Sequence, residues 1–291
     1  MPDHRLQELF PVVCLLFAAT LWGVLWYPLR LLNDAGLNGV WTSLIAYATL
    51  LISALPFLWR GRLELRSQFI PLLGIAIATG WCNLAFVLAV LDGTVVRVLI
   101  LFYLSPLWAV LLGHFILGER MTLYSRLVLL VAMLGALMML WSPTLGFPWP
   151  QTSSDWLAIS SGFAFAVANV LVRRYQRISI TNKVFSAWWG GVLVAAVCLL
   201  FIEDNGVPQI SGWVVLGAAV LGLIGMGLTT FAIQYGVSHM PVHRSAVILL
   251  FELIVGAVSA QWLTDESVRL IEWLGGALIL TAAWLTARQP N

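Results

Sequence analysis

Ten apolar runs, each about 20 residues long, follow one another along this chain: 12–32, 41–59, 69–91, 95–117, 123–141, 156–172, 184–202, 213–235, 242–263 and 270–287. A helix rises about 1.5 Å per residue, so every run is long enough to cross a hydrocarbon core of about 30 Å. Inside lipid the backbone finds no water, and a helix satisfies its polar groups within one segment. The pattern therefore predicts an all-α polytopic membrane protein with ten transmembrane helices, numbered here as spans 1 to 10. Only 10% of the residues are charged, well below the roughly 25% usual in soluble domains. Short loops join the spans, so any function sits among the helices.

Orientation follows from the basic residues, which are retained on the cytoplasmic side during insertion. With the N-terminus inside, twelve fall on cytoplasmic segments or span ends: Arg5, Arg60, Arg62, Arg66, Arg120, Arg126, Arg173, Arg174, Arg177, Lys183, Arg244 and Arg288. Only Arg30, Arg97 and Arg269 fall on the other side. Both termini are expected in the cytoplasm, and the net charge of +2 is a topology signal that gives no reason to invoke nucleic acid. The first run ends in Arg30 with no small-residue cleavage site, so it is expected to be a retained span. Cys14, Cys82 and Cys198 all fall inside spans and suggest neither a disulfide framework nor a metal cluster.

The chain also repeats itself. "LSPLWAVLLGHFILGE" (104–119) aligns without gaps on "FELIVGAVSAQWLTDE" (251–266) at a shift of 147, matching Ser105 to Glu252, Glu119 to Glu266 and, upstream, Arg97 to Arg244. Earlier in each half the shift is 143, pairing Trp22 with Phe165, Arg30 with Arg173 and Gly74 with Gly217. Two five-helix units are implied, at 12–141 and 156–287, with a Pro- and Ser-rich connector at 142–155. Five is odd, so the second unit enters the membrane from the opposite face. Inverted repeats of this kind give two arrangements of similar energy, inward-open and outward-open, the geometry of alternating access. A duplicated scaffold whose symmetry serves packing alone is the plainer alternative.

The two five-helix units, "LWG" in span 1 (Trp22, Gly23), "SPLWAVLLGHFILGE" closing span 4 and its counterpart ending "DE" at Glu266 resemble the drug/metabolite transporter superfamily, and within it the EamA-type permeases. The resemblance covers residues 12–287. It implies an exporter or permease for small metabolites such as amino acids, in a bacterial cytoplasmic membrane, with a central cavity lined chiefly by spans 1, 3, 4, 6, 8 and 9. Many members of the family carry Glu-Pro in span 9. Here Glu252 is followed by Leu253, and the proline stands only in the first copy, as Pro106.

Glu252 lies near the centre of span 9. A charged side chain there costs roughly 2.5 to 3.5 kcal/mol even on the lenient insertion scale, so such groups face a bundle interior or a watered cavity. Arg244 is about 12 Å away along the same helix at 1.5 Å per residue, and Arg97 is offset in depth by a similar distance, so neither is placed for a direct pair. Glu252 is then solvated, hydrogen-bonded or protonated. It either carries a coupling proton, binds a cationic group of a substrate, or simply bonds an adjacent helix. Glu119 and Glu266, at helix ends, read as caps.

Trp22, Trp26, Phe86, Tyr103 and Trp108 lie deep on spans 1, 3 and 4, either lining a pocket suited to flat or cationic substrates or packing. The remaining tryptophans sit mostly near span ends, where interfacial anchoring explains them. Asn83, Asn169, Ser105, Thr229, Thr230 and Gln234 can orient a substrate or hydrogen-bond between helices. Pro106 is a candidate hinge or cavity-shaping bend, and "GLIGMG" (222–227) a place for tight packing or bending. Arg97 and Arg244 are either a pair of anion-attracting gates or snorkelling side chains.

Function classes narrow accordingly. The four histidines are scattered, so no catalytic or metal-ligand cluster suggests a membrane enzyme. There is no nucleotide-binding motif and no sign of a cofactor, which leaves an ion or substrate gradient as the drive. A secondary transporter of a small molecule accounts for the repeat and the buried acid together. An uncoupled facilitator, or an accessory subunit without transport, is the alternative. No feature specifies an oligomeric state.

Overall fold

The computed structural model describes residues 4–93, 95–141, 149–201, 208–263 and 269–288. Among these the secondary structure is entirely helical, and ten segments are long and apolar enough to cross a membrane. Most of the connector, 142–148, and the acids Glu203, Asp204, Asp265 and Glu266 lie outside the described residues.

Span 1 is α1 (His4–Asp34), span 2 α2 (Gly39–Ser67) and span 3 α3 (Phe69–Asp92). Span 4, expected as one rod, is three pieces: α4 (Val95–Phe102), α5 (Ser105–Leu112) and a π-helical turn over Gly113–Leu117. Span 5 is α6 (Leu123–Leu140), span 6 α7 (Ser153–Arg174) and span 7 α8 (Ile180–Leu199). Span 8 runs through α9 (Gly212–Val220), a π-helical segment (Leu221–Gly227) and α10 (Leu228–His239). Span 9 is α11 (Val242–Leu249) and α12 (Phe251–Leu263), and span 10 is α13 (Leu270–Ala287).

Polar residues at the ends fix several of these helices. Thr152 and Asp155 form a reciprocal capping box at the start of α7, while Thr122 and Ser179 cap α6 and α8. Each cap satisfies an amide that the helix itself leaves unpaired. The π segment of span 8 has a cause legible in the repeat. Span 3 is 24 residues long and span 8, Gly212–His239, is 28, and the register of the repeat changes from 143 to 147 across them. Four residues exceed one α turn of 3.6, and a stretch of wider turns takes up the excess. It coincides with "GLIGMG", where bending was expected.

Lipid-facing and inward-facing positions are both apolar, so size distinguishes them. Ile70, Phe115, Leu200 and Trp213 are exposed on the outer surface, whereas alanine, glycine and serine crowd the interior. Small residues let backbones approach where no hydrophobic drive exists between helices. At the crossing of α6 and α13, a Cβ added to Gly135 would lie 2.6 Å from the Gly275 carbonyl oxygen. The two copies interlock: α3 packs on α7 and α8, and α1 on α10 and α12.

Candidate functional site

A cavity of about 110 Å³ occupies the middle of the bundle. Its walls come from spans 1, 2, 3, 4, 6, 8 and 9, the set the family resemblance implied with Tyr47 of span 2 added. The lining residues pair across the repeat: Trp22 with Phe165, Asn83 with Thr230, Phe86 with Ile233, Phe102 with Leu249, Tyr103 with Leu250, and Ser105 with Glu252. The cavity thus lies on the axis that relates the two copies.

Spans 4 and 9 both break at this axis, within one residue of equivalent positions. Leu104 N–H donates to Leu101 O at 3.3 Å in the first copy, and Leu250 N–H donates to Val247 O at 3.3 Å in the second. Each break is a tightened turn with i→i−3 bonds, and each starts a new half-helix at the cavity wall. Glu252 stands in the first turn of α12, where the amide ends of the half-helix favour a negative group. It is half-buried, in keeping with its place on the cavity lining. The Tyr103 hydroxyl, from the break in span 4, donates a hydrogen bond to its carboxylate. The carboxylate and phenol therefore join the two discontinuous spans.

Of the sequence candidates, Trp22, Asn83, Phe86, Tyr103, Ser105, Pro106, Asn169, Thr230, Gln234 and Glu252 all line this cavity, while Thr229 is buried off its wall. Asn83 Nδ2 donates to Thr79 O at 2.8 Å, and Thr230 Oγ1 to Met226 O at 2.6 Å. Asn169 is 5% exposed.

Trp26 and Trp108 are not on the cavity wall. Trp26 Nε1 donates to Ser259 Oγ at 2.9 Å, a tie between spans 1 and 9, and the four-residue spacing that places it on Trp22's face also carries it one turn further along α1. Trp108 packs edge-on against Phe163, with ring centroids 5.5 Å apart.

The arginines are held elsewhere. Arg97 Nε pairs with Asp155 Oδ1 at 2.8 Å, and its Nη2 donates to the Trp149 carbonyl. Arg244 is 5% exposed and donates from Nη2 to Thr286 O at 3.0 Å, so it is buried against α13 and does not reach headgroups by snorkelling. Lys183, counted above as a topology residue, is fully buried, with Nζ donating to Val172 O at 2.8 Å and Ser238 Oγ at 2.9 Å.

Sequence reading missed the aromatic cluster around Phe102, whose ring lies 5.0 Å from Phe86, 5.3 Å from Tyr103 and 5.8 Å from Phe165. Phe165 could have been found as the repeat mate of Trp22. It also missed the role of Glu119, which accepts a hydrogen bond from Val242 N–H at 3.1 Å, capping α11 in the other copy, and approaches Arg173 Nε at 3.6 Å and His243 Nδ1 at 3.7 Å. Span 4 is consequently tied to span 6 at both ends, by Arg97–Asp155 and by Glu119–Arg173.

The model of the EamA-like transporter family matches this chain twice, over residues 9–141 and 152–288. The chain belongs to the EamA-like transporter family. Among relatives, "Uncharacterized transporter PA0485" of Pseudomonas aeruginosa is 28% identical over 60% of this chain and 56% of its own length. An "Uncharacterized transporter" of Archaeoglobus fulgidus is 22% identical over 75% of this chain and 76% of its own. "Uncharacterized transporter YoaV" of Bacillus subtilis is 20% identical over 89% and 90%. A solved crystal structure superposes with a TM-score of 0.74 over 96% of this chain and 99% of that one, at 17% identity, so the two share a fold. This EamA-like protein is an integral, multi-pass membrane transporter and not an enzyme.

Proposed function

We propose that this EamA-like chain is a secondary transporter that exports small metabolites, amino acids or related organic compounds, by alternating access, with Glu252 as the proton-carrying coupling site. Both termini face the cytoplasm of a bacterial cell, which puts the Glu119–Arg173 end of the bundle on the inside. The observation that carries the reading is one carboxylate on the wall of a central cavity, where two broken spans from oppositely oriented copies meet. A group so placed exchanges a proton or a cargo with whichever side the cavity opens to, and the repeat supplies the two openings. Tyr103 holds the carboxylate in position through its hydroxyl.

The test is flux of a labelled panel of amino acids and organic amines in proteoliposomes, with and without an imposed pH gradient, for the wild type and Glu252→Gln. Gradient-driven flux that the substitution abolishes is the expected result. Flux indifferent to both the gradient and the substitution would make the protein an uncoupled facilitator and end the coupling role.

A further inference from the structure

We propose that the cavity is selective for a monocationic organic amine with a flat apolar body, and that it rejects the same body once it carries a carboxylate. This rests on the transport reading of the same site and narrows its cargo to amines without a carboxylate, leaving the amino acids themselves out. Glu252 is the only formally charged residue among those lining the cavity, and no lysine, arginine or histidine joins it there among the described residues. The buried or half-buried cations closest to the bundle interior are engaged: Arg97 by Asp155, Arg173 by Glu119 and the Ser238 carbonyl, Arg244 by Thr286 O, and Lys183 by Val172 O and Ser238 Oγ. A substrate carboxylate entering this space would lose its water and gain no counter-charge, which is strongly unfavourable.

An unsatisfied acceptor points the same way. Gln234, 4% exposed, lines the cavity, and its Oε1 is buried without a hydrogen-bond partner. A carbonyl oxygen only accepts, so Gln234 Oε1 asks for a donor from the ligand. An ammonium supplies up to three donors and one positive charge, matching Glu252 and a neutral acceptor. The aromatic wall of Phe86, Phe102 and Phe165 accommodates the flat body, and its ring faces attract the cation.

Three probes of one shape separate the possibilities: phenethylamine, L-phenylalanine and 3-phenylpropionate, each titrated calorimetrically into the purified full-length protein in detergent and followed as flux into proteoliposomes. We expect phenethylamine to bind at least about tenfold more tightly than L-phenylalanine, and 3-phenylpropionate to give no heat. Glu252→Gln should erase that preference. Gln234→Met, which keeps the volume and removes the acceptor, should weaken phenethylamine severalfold and so tests the assignment even if the first variant fails to fold. Equal or tighter binding of L-phenylalanine overturns the proposal, as does the absence of binding by all three. Phenethylamine preferred in binding yet never moved by a gradient would keep the ligand class and sink the transport reading. Gradient-driven flux of L-phenylalanine with no preference for the amine would do the reverse.

Discussion

Spans 4 and 9 occupy equivalent places in the two copies, and they share a backbone while differing in chemistry. Both stop and restart at the cavity, α4 giving way to α5 and α11 to α12, with i→i−3 bonds at each break, offset by one residue. Yet the first copy places Phe102, Tyr103, Ser105 and Pro106 where the second has Leu249, Leu250, Glu252 and Leu253. Most of the aromatic wall, Phe86 and Phe102, comes from one copy and the charge from the other, with Phe165 of the second copy completing the wall. Duplication supplied two equal scaffolds, and the site arises from what each then lost or gained. The transport cycle of an inverted repeat needs only the backbone to be symmetric, so side chains at the axis are free to specialise.

The largest effect expected from this difference is at the acid. Glu252→Gln should lower proton-driven flux by at least about tenfold, a barrier change of about 1.4 kcal/mol or more, while Ser105→Ala, at the equivalent place, should lower it far less. Comparable losses in proteoliposome assays of the two variants would mean that the site is symmetric in chemistry as well as backbone. A second comparison concerns the scaffold. A Cβ on Gly135 would meet the Gly275 carbonyl at 2.6 Å, and one on Gly275 would meet the Gly135 carbonyl at 2.5 Å. Overpacking of this kind costs roughly 1 to 3 kcal/mol. Gly135→Ala and Gly275→Ala should therefore lower the thermal midpoint in detergent by similar amounts. A cost confined to one of them would break the claim that spans 5 and 10 cross symmetrically.

Much of this was legible in the residues. Apolar run length marks out the ten spans, and a lone carboxylate at the middle of one of them singles out Glu252. Ten of the residues read as binding or hinge candidates fall on one cavity. The failures have a common cause. Helical spacing gives the face of a residue but not the neighbour that meets it, so Trp26 was placed with Trp22 although Ser259 takes its indole N–H. The partners of Arg97 and Glu119 lie beyond the first copy, Asp155 at 58 positions distance and Val242 at 123, and nothing local in the sequence announces them.

Glu119 offers a smaller test. It ends span 4, caps α11 and approaches Arg173, all near the membrane surface where an ion pair is worth about 0 to 1 kcal/mol and a cap about 1 kcal/mol. Glu119→Gln keeps an acceptor for Val242 N–H and removes the charge. The expected loss of stability in a thermal melt is therefore under about 1 kcal/mol, with Glu119→Ala costing more because the cap goes too. Equal losses for the two would assign the whole effect to charge and none to the cap.

The smallest effect is expected where sequence reasoning placed the hinge. Pro106 has no N–H, which appears sufficient to break a helix until its repeat mate is considered. Leu253 has an N–H, and it still donates to Leu250 O at 3.1 Å instead of reaching back a full α turn. The break therefore belongs to the packing of the repeat around the cavity, and proline merely tolerates it. In Pro106→Ala the new amide should bond Tyr103 O, as Leu253 does Leu250 O, for about 0.5 to 1.5 kcal/mol. Loss of the stiff ring gives back about 0.4 to 1 kcal/mol through a freer unfolded chain. The two nearly cancel, so the melting temperature should move by only a few degrees, and Glu252-dependent flux should persist. If flux instead collapses as far as it does in Glu252→Gln, the proline itself shapes span 4, and the two breaks share a position without sharing a cause.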